Sequence, residues 1–241
     1  MMNRKALFNG LAAILTELSE DEQLALVDCP EEELKKFAGD LVIQIVQNTF
    51  FIPLSDHDVA EKLAETTLNW RKLAAELSYT GPVVWKVKEG FTLKAHAPKA
   101  GPCYENFQYL QDWNIRNDEP TKDSLAFWVP RLVTGSKSNN VEGQIAILAE
   151  LRQRFGLPDH HLSSFGSASL DSGLILAHFK RTGERTPLNG EWVRTNSLDA
   201  DGDRLNLGAF GADGLRCDRW DWGGGERSPS IGCFPLGVEL V

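Results

Sequence analysis

The sequence predicts an α+β protein, a helical N-terminal region followed by a domain of two helices and short antiparallel strands. Three observations predict it. Apolar residues recur at helical spacing through the first 77 residues. Two later segments carry helix start and stop signals. From Glu191 onward the chain is short strand-like pieces broken by Asp-Gly and Gly-rich turns. The expected division is a helical region at 1–80, a β-hairpin and irregular connector at 81–120, and the α+β domain at 121–241.

Taken in order, Ala6, Leu7, Leu11, Ile14, Leu15 and Leu18 define a first helix. Ser19 with Glu22 forms a capping box for a second. Asp28 and Pro30 precede EEELKKFAGDLVIQIVQ, whose early acids suit the positive end of a helix dipole. Ser55 and Asp58 open a long helix to Leu77, with Leu63, Leu73 and Leu77 on its apolar side. Gly81-Pro82 ends this region. Val83–Lys88 and Phe91–His96 alternate about Glu89-Gly90 and read as a β-hairpin. Tyr104–Asn114 is aromatic without a period and takes no assignment. Val141–Phe155 reads as a helix capped by Asn139 or Asn140, with Ile145, Leu148, Leu151 and Phe155 on one side. A further helix starts at Ser167 or Ser169 and stops at Gly183, with Pro187 beyond it.

A chain of 241 residues, 42% hydrophobic and 24% charged, is long enough to bury a sizeable core. Its net charge of -9 is uneven. Residues 1–77 hold 14 acids and 7 bases, leaving 20 acids against 18 bases in the rest. That balance disfavours broad affinity for nucleic acid or anionic membranes. No apolar run approaches the roughly 18 residues that span a bilayer. MMNRKALFNGLAAIL only imitates a signal peptide before running into TELSEDEQ, so a cytoplasmic location is expected, with export left open. Cys29, Cys103, Cys217 and Cys233 show no CxxC spacing and read as reduced thiols. Cys217 and Cys233 could pair if the protein were exported.

Several apparent sites dissolve on inspection. DADGD at Asp199–Asp203 starts like a calcium loop, but its sixth and twelfth places hold Arg204 and Phe210 where glycine and glutamate are required. An Asp-Gly turn explains it. The glycines Gly223–Gly225 lack the Lys-Ser/Thr and following helix of a phosphate cradle. His160 and His161 read as a loop and helix cap, and His178 as a buried histidine. A hydrolase using His161 or His178 with Ser164 and Asp171 is one alternative, although no G-x-S-x-G elbow is present. No cofactor and no metal are expected.

One constellation remains. Asp213, Arg216, Asp218, Arg219, Trp220, Asp221, Trp222, Glu226 and Arg227 crowd one stretch, in a region where seven arginines but one lysine follow position 155. Arginine offers a rigid fork and stacks on aromatic faces. Tryptophan and arginine are also enriched at binding hot spots. A core role for Trp220 and Trp222, with the arginines paired to nearby aspartates, competes with this. A glycan or nucleic-acid binder stacking bases or sugars on Trp220 and Trp222 is the other alternative, nucleic acid being disfavoured by the acidity.

The C-terminal pattern resembles the bacterial C-type-lectin-like domains. The pieces that carry it are Trp192–Ser197, Leu205–Leu207, Gly214-Leu215, Cys217–Arg227 and Ser230–Glu239, preceded by the helices Val141–Phe155 and Ser169–Thr182. Within that family, variable proteins of diversity-generating retroelements place a changeable loop and strand before a closing Ile-Gly segment. Here Ile231-Gly232 runs into Cys233-Phe234, where the family closes with an arginine. The resemblance implies a C-type-lectin-like layout over 121–241 and a static scaffold displaying the nine residues from Asp213 to Arg227 to a protein ligand. Any homo-oligomer would form through the N-terminal helices.

Overall fold

The structure is a computed structural model and describes residues 50–55, 57–185, 187–219 and 227–240. The helices expected before residue 50, and any assembly through them, lie outside these residues. The described chain opens with β1 (Phe51–Pro53), a 3-10 turn (Glu61–Leu63), helix α1 (Ala64–Glu76) and β2 (Val84–Val87). It continues through short helix α2 (Ala97–Ala100), a 3-10 segment at Tyr104–Leu110 and β3 (Ser124–Trp128). Helices α3 (Val141–Phe155) and α4 (Ala168–Thr182) follow. The strands β4 (Trp192–Leu198), β5 (Arg204–Gly211), β6 (Gly214–Arg219), β7 (Ile231–Gly232) and β8 (Leu236–Leu240) complete an α+β fold.

Two four-stranded sheets organise these elements. The first has the order β1-β2-β3-β8 and is antiparallel, with Ser124 opposite Leu240 and Trp128 opposite Leu236. Successive residues of β3, and Val129 just after it, enter different cores. Ala126 and Trp128 join α4 and the second sheet, whereas Phe127 and Val129 join Trp70 and Leu73 of α1 and Leu148 of α3. A strand buried on both faces reads as a continuous apolar run, and SLAFW does so. The second sheet has the order β6-β5-β4-β7, antiparallel except for the β4–β7 pair.

The two expected long helices form where their caps dictate. Asn140 Oδ1 accepts the Gly143 N–H at 2.9 Å to open α3, and Ser167 Oγ accepts the Leu170 N–H at 3.1 Å to open α4. Gly183 closes α4 at φ 71°, a left-handed position that glycine adopts without penalty. Every residue of α4 from Ser172 to His178 is buried, so it is an interior helix. It meets β1 where Gly173 lies under the Phe51 ring. A Cβ at 173 would stand 2.0 Å from that ring.

Three expectations are corrected. The Val83–His96 hairpin does not form, because both edges of β2 are taken by β1 and β3. Phe91 instead bonds to Thr121, its carbonyl accepting the Thr121 N–H and its own N–H donating to the Thr121 hydroxyl, and Phe91 and Leu93 point into the core, which is what their alternation recorded. The helix expected from Ser55 begins only at Ala64. Ser55 and Asp58 close a local turn, the hydroxyl donating to the Asp58 carboxylate at 2.6 Å. Residues 80 and 120 are not boundaries of the core either. Phe51, Trp85 and Phe107 share one cluster with Leu174, Leu205 and Phe210. Among the described residues no helix is long and apolar enough to cross a membrane.

Candidate functional site

The β5–β6 hairpin turns at Ala212-Asp213, between Gly211 and Gly214, and sends β6 along the edge of the second sheet. Alternation then sorts its side chains. Leu215 and Cys217 are buried in the core, Arg216 and Asp218 face outward, and Asp213 and Arg219 are exposed.

An earlier stretch of chain covers the outer edge of β6. Pro102 accepts the Leu215 N–H at 2.8 Å. The Tyr109 hydroxyl accepts the Cys217 N–H at 3.1 Å and donates to the Cys217 carbonyl at 2.8 Å. One phenol thus satisfies both backbone groups of an edge residue, and the edge is closed to strand addition there. Burial raises the Tyr109 phenol above its usual range, and the hydrogen bond to the Cys217 backbone only partly opposes it.

The same stretch supplies aromatic faces for the arginines. The Arg216 guanidinium lies 3.9 Å above the Tyr104 ring and pairs with Asp213 at 2.5 Å. That hydrogen bond holds the Asp213 carboxyl below its ordinary range. The Arg219 guanidinium lies 4.9 Å above the Trp113 ring and reaches Asp199 Oδ2 at 3.3 Å. Tyr109 stands edge-on between the rings, 6.0 Å from Tyr104 and 5.7 Å from Trp113. Guanidinium–aromatic contacts are worth about 0.5–1 kcal/mol at exposed sites. Their larger effect is to hold flexible side chains in place.

The backbone beneath this row is strained. Glu105, Asn106 and Phe107 have φ of 46°, 49° and 55°, three successive residues in the left-handed region. Each costs roughly 1–2 kcal/mol for a non-glycine residue. Phe107 and Leu110 are fully buried and anchor the segment, while Glu105 and Asn106 are exposed.

DADGD is a turn, as its residues predict. Asp199 Oδ1 accepts the N–H groups of Asp201, Gly202 and Asp203, each at 2.9 Å. Burial alone would raise this carboxyl, but the three amides and Arg219 outweigh it, and the net shift is downward. The carboxylate is committed to the turn and to Arg219.

Of the nine residues expected at the site, Asp213, Arg216, Asp218 and Arg219 are brought together. Trp220, Asp221, Trp222 and Glu226 lie outside the described residues. Arg227 is exposed, and no contact joins it to the other four among the described residues. It precedes buried Ser228, whose carbonyl accepts the Ser138 N–H at 2.6 Å, on the β7 side of the sheet. Tyr104, Tyr109 and Trp113 escaped sequence reasoning, and their only signal was aromatic density without a period.

The residues named for hydrolysis do not share contacts. Ser164 Oγ accepts the Asn196 side-chain amide at 2.6 Å. Asp171 is fully buried against Gly166, its carboxyl pushed well up by burial and then by Asp118. His178 reaches Glu184 Oε2 at 3.1 Å and packs on Trp128 and Tyr79. His161, expected at a loop and helix cap, is instead wholly buried. It lies over Gly237 of β8, where a Cβ would come within 2.4 Å of the ring.

His160, His161 and Glu239 cluster with metal-ligand spacing, the two Nε2 atoms 3.0 and 3.2 Å from one Glu239 oxygen. Proton accounting decides against a metal there. The Trp70 indole N–H, which can only donate, points at His161 Nδ1 at 3.0 Å. Nδ1 therefore keeps its lone pair and Nε2 carries the proton, so Nε2 has none to give a cation. Cys217 and Cys233 are free and sit in separate core clusters, their thiols raised by burial, Cys233 to about 12.

Comparison of the chain with protein-family models, curated proteins and solved structures gave no match.

Proposed function

We propose that this protein binds a protein partner, without catalysing a reaction, through the face formed by the outward residues of β6. The observation that carries this is the pair of stacked guanidinium groups, Arg216 on Tyr104 and Arg219 on Trp113, held at the surface beside exposed carboxylates. Rigid arginine and aromatic side chains are the residue types that concentrate binding energy, because little conformational entropy remains to be lost.

We further propose that the scaffold is C-type-lectin-like, of the kind used by variable proteins. Three features support it. The strands that begin and end the 121–241 stretch, β3 and β8, are antiparallel neighbours. Two helices separate β3 from β4. A second sheet carries the β5–β6 hairpin at its edge.

Sequencing the related copies in the source genome tests the diversified version. Substitutions should concentrate at Arg216–Arg227 and spare Gly232–Glu239. Even variation along the chain would remove it. Binding itself is tested by alanine at Arg216 and Arg219 together, with unchanged thermal stability as control.

A further inference from the structure

We propose that Tyr104–Trp113 is a fixed second wall of the recognition face, and that this wall turns Arg216 and Arg219 into receptors for carboxylates on a protein loop. The proposal rests on the binding reading above and extends it to residues about a hundred positions earlier in the chain.

Geometry comes first. Tyr104 and Trp113 each present a half-buried ring to a guanidinium of β6, while Phe107 and Leu110 of the same segment are locked in the core. The wall is therefore rigid behind and open in front. Its backbone holds a left-handed conformation at exposed Glu105 and Asn106, where nothing in the packing of their own side chains calls for it. Strain that surrounding structure maintains at an exposed position is characteristic of ligand-contacting segments.

The donors define the partner. A guanidinium carries five N–H groups in a planar fork that matches a carboxylate. Among the described residues Asp213 engages one terminal nitrogen of Arg216, and Asp199 one of Arg219. Each guanidinium carries further N–H donors beyond that one contact. Arg116, whose Nε donates to the Asp199 carbonyl at 2.9 Å, adds a third guanidinium beside them.

Two other partner classes fit poorly. A polyanion such as DNA would set successive phosphates against Glu105, Asp112, Asp213 and Asp218 as well as against the arginines, whereas a single carboxylate need meet only one guanidinium. A partner strand cannot pair at Cys217, because Tyr109 occupies both of its outward backbone groups. Side-chain recognition of a protein loop bearing one or two carboxylates remains.

The test uses the full chain as bait against a display library of random twelve-residue loops held in one fixed scaffold. Enriched loops should carry Asp and Glu above their input frequency. Their affinity should fall tenfold or more in Tyr104→Ala and in Trp113→Ala, and to a similar degree in Arg216→Ala. Tyr104→Phe, which keeps the ring, should bind within about twofold of the parent. Thermal melts of each variant separate lost contact from lost fold. Enriched loops without acids would overturn the carboxylate assignment. Loss in Arg216→Ala with affinity kept in Tyr104→Ala and Trp113→Ala would overturn the second wall and leave the binding face standing. No enrichment, or binding indifferent to Arg216 and Arg219, would remove both.

Discussion

Acidification should loosen this fold through one imidazole, and the size of the effect follows from its neighbours. His161 is wholly buried between Phe127, Trp70 and β8, with His160 and Glu239 the charged groups that face it. Its Nδ1 accepts the Trp70 indole N–H. A second proton would set N–H against N–H. Burial first, then His160, lowers the imidazole from 6.5 to about 4, with Glu239 opposing. The unfolded chain takes up a proton near pH 6.5 and the folded chain does not until about 4. Stability is therefore full above pH 6.5 and is lost as pH falls through that window. At about 1.4 kcal/mol per unit, the loss approaches roughly 3 kcal/mol by pH 4.

Carboxylates titrate in the same range, so a matched variant isolates the effect. Glutamine at 161 can accept from Trp70 and donate to Glu239 but cannot be protonated. Urea unfolding followed by tryptophan fluorescence at half-unit steps from pH 7.5 to 4 gives the parent-minus-variant difference. That difference should move in favour of His161→Gln by about 3 kcal/mol as pH falls. A difference that stays flat across the window would refute the arrangement, since an imidazole free to protonate in the folded state has no such linkage.

Three further outcomes are expected. Asp171→Asn should stabilise the protein at pH 7 and have little effect at pH 4. Burial and Asp118 hold the folded carboxyl well above 3.8, so its contribution is lost as pH rises from there. Thermal melts at the two pH values check the sign, and equal shifts would contradict it. Gly173→Ala should cost on the order of 1–3 kcal/mol by overpacking against Phe51, measured by denaturant midpoint. Tyr109→Phe should cost about 1–3 kcal/mol, because the Cys217 N–H and carbonyl both lose their partner in a partly buried site. Hydrogen exchange at the Cys217 amide should rise with it.

What the sequence discloses here is governed by the range of the interaction. The caps Asn140 and Ser167 act across three residues, and the helices they open are legible from spelling alone. The Asp199 turn is equally local. Strand β3 escapes because burial on both faces removes its alternation, and Phe91–His96 imitates a strand because two core contacts happen to fall two residues apart. At the candidate site Asp213, Arg216, Asp218 and Arg219 are visible as composition. The rings beneath them are not, since a short 3-10 segment kinked at Glu105–Phe107 has no hydrophobic period and lies more than a hundred residues away. Glu239 reaches His160 and His161 only through the sheet.

Strand β6 shows how one element can hold a fold and still leave a surface open to change. Its inward residues, Leu215 and Cys217, are buried with Leu205, Leu207 and Phe210, and their backbone is pinned on one side by β5 and on the other by Pro102 and Tyr109. None of those contacts uses the side chains of Arg216 or Asp218. The pinning by Tyr109 is to backbone atoms, which every residue type except proline would supply at 217, so that contact fixes the path of the strand and not its side chains. Asp213 and Arg219 likewise stand on the turn and at the strand end, outside the packed layer. A surface built this way can alter its outward residues without dismantling the sheet beneath.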